Sequence, residues 1–206
     1  MVAPDFYLNR ILFPVIFTLL LFLVLRNKKS IKNRLIESKN KGIMNLYFAL
    51  IDGIRLDFGD WKKTVVLPFV ASLALMMMLS VFGAELHSLG EPLWFALSFS
   101  GFLSPVAEEF LVRGFLLGCF FYFSSLTKEK YRPYFITGVL MSTSLVFLVS
   151  HDNFTIFQSI SRFSSSLLYG ILYLAYRRNL LPPIVAHASW NWFLIASDCL
   201  VYKICW

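Results

Sequence analysis

The chain has 206 residues and a formal charge of +7; 58% of its residues are hydrophobic, only 15% are charged, and 22 are Phe. A soluble domain is nearer to about 45–50% apolar and about 25% charged, so this composition excludes a water-facing globule. It points to a protein embedded in a membrane, and the length suits one domain, 1–206.

Roughly 20 apolar residues are needed to cross a bilayer core. The first such stretch is 6–25. Asp5 and Arg10 and the lack of a small-residue cleavage site mark it as a retained anchor rather than a signal peptide. Arg26, Lys28, Lys29, Lys32, Arg34, Lys39 and Lys41 follow, against Glu37 alone. Beside a span, such a run (26–42) reads as a basic cytoplasmic loop, not as a nucleic-acid site. The stretch 43–58 is amphipathic and suits the membrane surface. A second span covers 64–83. The third segment, 92–123, is too long for one perpendicular crossing, and Pro105 and the glycines predict a bend or break there. Further spans are expected at 134–156, 160–176 and 181–202. Cys119, Cys199 and Cys205 have no CxxC or metal spacing and read as small apolar helix residues.

Six crossings place Lys62 and Lys63, Lys128, Lys130 and Arg132, and Arg177 and Arg178 on the side of the first basic run, with both termini opposite. The expected fold is therefore all-α: a polytopic transmembrane helical bundle of about six spans, one long or broken near Pro105.

Between Pro92 and Ser125 the charged residues are Glu108, Glu109 and Arg113. An ionisable group inside a span costs several kcal/mol unless it is paired or hydrated, so each marks a candidate site. Glu109 and Arg113 are four apart and share a helix face, which suits an ion pair. Glu108 lies about 100° round the helix and has Leu111 and Val112 where a C-terminal partner would stand, which leaves it for chemistry. Phe147 and His151, and His187 and Asn191, form two further i, i+4 pairs in later spans. Around a wet cavity these groups satisfy one another. Glu108 can hold a water and take its proton. His151 can orient that water, and His187 and Asn191 can face a developing oxyanion. Measured from the basic loops, Glu108 and His187 fall at similar depth. His151, about 25 Å along its helix, falls toward the opposite side.

The motifs EExxxR (Glu108, Glu109, Arg113), FxxxH (Phe147, His151) and HxxxN (His187, Asn191), with a proline before the double Glu and a glycine after the Arg, resemble those of the CAAX-processing and bacteriocin-processing (CPBP or Abi) intramembrane proteases. The resemblance covers 92–195 and implies a membrane-embedded glutamic-type peptidase with no cofactor. In that picture Glu108 activates water with His151, Glu109 and Arg113 support the site together with Phe147, and His187 and Asn191 stabilise the tetrahedral intermediate. The implied substrate is a membrane-associated protein or peptide, processed at a C-terminal segment or a leader: a prenylated protein in eukaryotic relatives, a bacteriocin or sorting segment in prokaryotic ones. The short chain resembles the compact prokaryotic type, which implies a plasma-membrane location. Two other readings stand beside it. One is a non-enzymatic immunity or binding protein of the same fold. The other is a zinc peptidase using Glu108, His151 and His187, which the lack of HExxH disfavours.

Overall fold

The computed structural model describes residues 4–37, 42, 47, 54–80, 93–125, 127–151 and 155–202. Among them are six long helices: α1 (Pro4–Glu37), α2 (62–80), α3 (93–125), α4 (Arg132–Val149), α5 (Ile156–Ala175) and α6 (Leu181–Tyr202). The helices follow the expected spans, since apolar stretches of this length bury their backbone bonds internally only as helices. Three of them are long and apolar enough to cross a membrane over Lys62–Leu79, Leu93–Phe121 and Glu129–Val149. The protein is an integral membrane helical bundle.

Two places refine the sequence reading. The basic run expected as a loop from 26 continues α1 as far as Glu37. Lys, Arg and Leu are good helix formers, so the helix runs on past the apolar stretch. Of the two courses expected near Pro105, a long segment or a broken one, α3 takes the long one and is continuous through the proline. There the proline occupies the first turn of an α-helical piece, Ser104–Glu109, set between π-helical pieces Ala96–Leu103 and Phe110–Leu117. In the wider π turn each N–H reaches back five residues, and Ser104 N–H bonds to the Phe99 carbonyl in this way. Most of the amphipathic stretch 43–58, and Cys205, lie outside the described residues, and Cys119 is a free thiol.

Helix α3 lies at the centre. It packs on α1, α4 and α6; α4 lies on α5, α5 on α6, and α2 on α6. Val106, Phe110 and Leu117 of α3 meet Leu21, Val139, Tyr173 and Ile184 in the core. The outer faces of α1 and α2 carry exposed Leu19, Phe22, Phe69, Val70 and Met77, as lipid contact demands. Ser72 donates to the Ala186 carbonyl at 2.7 Å, tying α2 to α6.

Two local devices set the ends of α5. Thr155 and Gln158 form a reciprocal capping box at its start, with bonds of 3.0 and 3.3 Å. At its end Arg177 and Arg178 take left-handed backbone (φ 53° and 65°), and Arg178 N–H closes on the Tyr173 carbonyl at 2.8 Å. Asn179 then grips the backbone of Asp57 with both amide atoms, at 2.6 and 3.1 Å, and Leu180 N–H bonds to the Arg55 carbonyl. This clasp fixes where α6 starts, and so the height of His187.

Candidate active site

The two glutamates face different neighbours. Glu109 Oε1 accepts from Arg113 Nη1 at 3.1 Å, with the two side chains only 0% and 2% exposed. Arg113 Nη2 donates to the carbonyl and hydroxyl oxygens of Ser166 on α5, at 2.7 and 2.5 Å. Its guanidinium also lies 5.2 Å from the Phe147 ring and 5.6 Å from the Tyr169 ring, within cation–π range. The Arg113 charge is thus hidden and clamps α3 to α4 and α5.

His187 stands on the other side of Glu109. Its Nδ1 is 2.8 Å from Glu109 Oε1. The ring stacks on Tyr169 (4.8 Å, 17°) and meets Phe147 edge-on at 5.6 Å. An ionised carboxylate only accepts, so Nδ1 carries the proton in this contact, a tautomer assigned from the bonding pattern. Nε2 then points to Glu108, whose Oε2 is 3.8 Å away. The other oxygen of Glu108 accepts from the Ser104 hydroxyl one turn earlier. Oε2 has no hydrogen-bond partner among the described residues. The pair Glu109 and Arg113 therefore anchors an imidazole whose second nitrogen meets the less committed carboxylate.

These groups open on a cavity of about 660 Å³, lined by residues that include Glu108, Phe147, His151, His187 and Asn191. The Nδ1 atom of His151 bonds within its own helix end, 2.8 Å from the Phe147 carbonyl and 3.2 Å from Ser150 Oγ. Its ring packs on Phe147 at 4.7 Å, so Phe147 separates the two imidazoles. The sequence paired Glu108 with His151; the structure places His187 next to Glu108, with His151 further along the same cavity wall. The depth conflict dissolves because unbroken α3 sets Glu108 near its middle, and Phe147, one turn before His151, reaches His187.

Asn191 Nδ2 donates to the Ser100 carbonyl at 2.7 Å. Ser100 lies five residues before Pro105, where a π turn would supply an N–H that proline lacks. Asn191 takes up that carbonyl, so the proline break and the HxxxN motif meet at one hydrogen bond. One N–H of the amide remains for the cavity.

The profile of the type II CAAX prenyl endopeptidase family, Rce1-like, matches residues 90–193. The chain belongs to the Rce1-like family. Its members are proteases that act on membrane-associated proteins. No curated protein and no solved structure matches the chain. All seven motif residues of the Rce1-like region lie inside the matched segment, whereas Pro14 of α1 reaches the cavity from outside it.

Sequence reasoning missed Ser104, Ser166, Tyr169 and Arg162. Ser104 is at i−4 from Glu108 and was findable by the spacing rule used for Arg113. Arg162 is an ionisable residue in an expected span and met the criterion applied to the glutamates. Ser166 and Tyr169 carry no local signal, because their contacts are made to other helices. Among the described residues, no three His, Cys, Asp or Glu side chains are placed to share a metal ion.

Proposed function

We propose that the protein is an intramembrane endopeptidase of the glutamic type, which hydrolyses a peptide bond of a membrane-associated substrate with no metal. The observation that carries this reading is the placement of Glu108 at the wall of the cavity, with its buried Oε2 without a hydrogen-bond partner among the described residues and 3.8 Å from His187 Nε2. A water that enters with the substrate bonds to both atoms. Glu108 takes its proton as the new oxygen bonds to the substrate carbonyl carbon. The negative charge that develops on the carbonyl oxygen is met by the remaining Asn191 N–H. Collapse breaks the C–N bond, and the proton held by Glu108 goes to the leaving amine, directly or through His187 Nε2. His151 positions water or substrate further along the wall. Glu109, fixed by Arg113, holds the His187 ring in its tautomer. The basic ends of the helices, at Lys29, Lys63, Lys130 and Arg177, lie on the cytoplasmic side in this reading.

The test is a comparison of membrane proteomes from cells carrying the wild-type chain or Glu108→Gln. A longer precursor should accumulate in the variant and disappear when wild type is restored. Identical processing in both strains would refute the assignment.

A further inference from the structure

Another cavity, of about 280 Å³, shares no lining residue with the candidate active site. It lies between the segment 54–61 and the corner that joins α5 to α6, and Arg55, Asp57, Thr64, Tyr176, Arg177 and Asn179 line it. Small-molecule sites hold about 300–1,000 Å³, so a space of this size suits a headgroup rather than a peptide. The nearby carboxylates are already engaged. Asp57 accepts from Arg55 Nη2 at 2.9 Å and from Gly59 N–H at 3.0 Å. Asp60 accepts from Lys62 N–H at 3.1 Å and faces Lys63 Nζ at 3.5 Å. Arg178 turns to the Tyr173 hydroxyl at 3.4 Å and to the Phe121 ring at 5.6 Å. Arg177 is exposed and makes no ion pair among the described residues. Both arginines stand in left-handed backbone, φ 53° and 65°, where Gly or Asn is the usual occupant. Backbone held in such a sparsely populated region points to function. The N–H groups of Tyr176, Arg177, Arg178 and Asn179 all bond to carbonyls of this corner, so a ligand here meets side chains rather than main chain.

The cavity lies at the level of the membrane surface. The apolar span of α2 begins at Lys62, and Leu56, Phe58 and Trp61 just before it are exposed. Aromatic side chains at the start of a span sit among lipid headgroups. A basic pocket at that level on the cytoplasmic side suits an acidic headgroup. A guanidinium fork matches two phosphate oxygens, and Arg55 gives one nitrogen to Asp57 and keeps its other donors. We propose that this cavity binds the headgroup of an anionic phospholipid, with the phosphate between Arg55 and Arg177 and the acyl chains along Phe58 and Trp61. A free phosphate offers the same oxygens, but the exposed apolar edge favours the lipid. The bound lipid bridges the seam that Asn179 already grips, and so braces the start of α6. The site stands apart from the peptidase reading and survives its failure.

The experiment uses full-length protein in nanodiscs of phosphatidylcholine and phosphatidylglycerol in equal amounts. Native mass spectrometry counts the lipid that stays on the released protein. The wild type should retain about one phosphatidylglycerol, preferred over phosphatidylcholine by about tenfold to a hundredfold, the scale of a hydrogen bond to a charged group. Arg177→Gln and Arg55→Gln should each remove most of that preference, and Arg177→Lys should keep part of it. Lys130→Gln, which removes an equal charge from an exposed site elsewhere, should leave it unchanged. Arg177→Gly relieves the left-handed strain, so it should melt no lower than the wild type in pure phosphatidylcholine and still lose the preference. Equal retention of the two lipids by the wild type overturns the proposal. So does a preference that survives Arg177→Gly, or an equal loss in Lys130→Gln, which would assign it to diffuse surface charge. Inorganic phosphate is added to protein in pure phosphatidylcholine as a separate arm. An Arg177-dependent rise in Tm with phosphate, and none with phosphatidylglycerol, would assign the cavity to a soluble ligand and overturn the lipid.

Discussion

Glu109→Gln separates the support of the site from its chemistry. Gln keeps the shape of the side chain and an acceptor oxygen, so the contacts to Arg113 Nη1 and His187 Nδ1, at 3.1 and 2.8 Å, survive in outline. What goes is the negative charge, from a position that is 0% exposed. Removing one partner of a buried ion pair costs about 3–5 kcal/mol. Here Arg113 keeps two bonds to Ser166 and two ring faces. That places the expected loss near the lower end, about 3 kcal/mol. For a chain of this size each kcal/mol shifts Tm by roughly 2–4 °C, so the fall should be about 6–12 °C. Thermal unfolding of the detergent-solubilised protein, read by its tryptophan fluorescence, measures it directly. Glu108→Gln is the control. It loses charge from a carboxylate that is 21% exposed and hydrogen-bonded to Ser104, and it should unfold within about 2 °C of wild type while cutting nothing. The double variant Glu109→Gln, Arg113→Met should regain part of the loss, because no stranded charge remains. A Glu109→Gln protein as stable as wild type, or a double variant no better than the single, would refute the ion-pair argument.

Four further outcomes follow from the geometry. Asn191→Ala should lower kcat by roughly 10²–10³-fold with little change in KM, the scale for losing one oxyanion donor; an effect confined to KM would assign Asn191 to substrate binding. Pro105→Ala restores an N–H that competes for the Ser100 carbonyl, and it should lower kcat without lowering Tm; unchanged kcat would break the link between the proline and Asn191. Purified protein should contain no stoichiometric zinc and should keep its activity after chelation, whereas zinc-restored activity at one metal per chain would overturn the metal-free mechanism. Single cysteines at Lys29, Lys63 and Lys130, all exposed basic positions, placed in a background without native cysteines, should be shielded from an impermeant thiol reagent in intact cells; labelling of any one would break the proposed sidedness.

Much of this protein is legible along the chain because membrane helices are local objects. Each apolar stretch must satisfy its own backbone, so the six helices fall close to where composition puts them. The Glu109–Arg113 pair is legible for the same reason, since an i, i+4 contact is set by one helix alone. The motif residues also place the chain in its family before any distance is measured. What the chain order does not contain is the rotation and height of one helix against another. That decides that His187 rather than His151 meets Glu108, and that Phe147 stands between the two rings. It also decides that Ser166 and Tyr169 hold Arg113 and His187, and that Arg162 shares their cavity. The unbroken course of α3 belongs with these. Proline signals a break locally, but the π turns and the Asn191 amide on a distant helix absorb its missing N–H. A pattern of faces fixes which residues turn inward; only packing between helices fixes which inward residues meet, because each contact is a sum over several surfaces that are far apart in sequence.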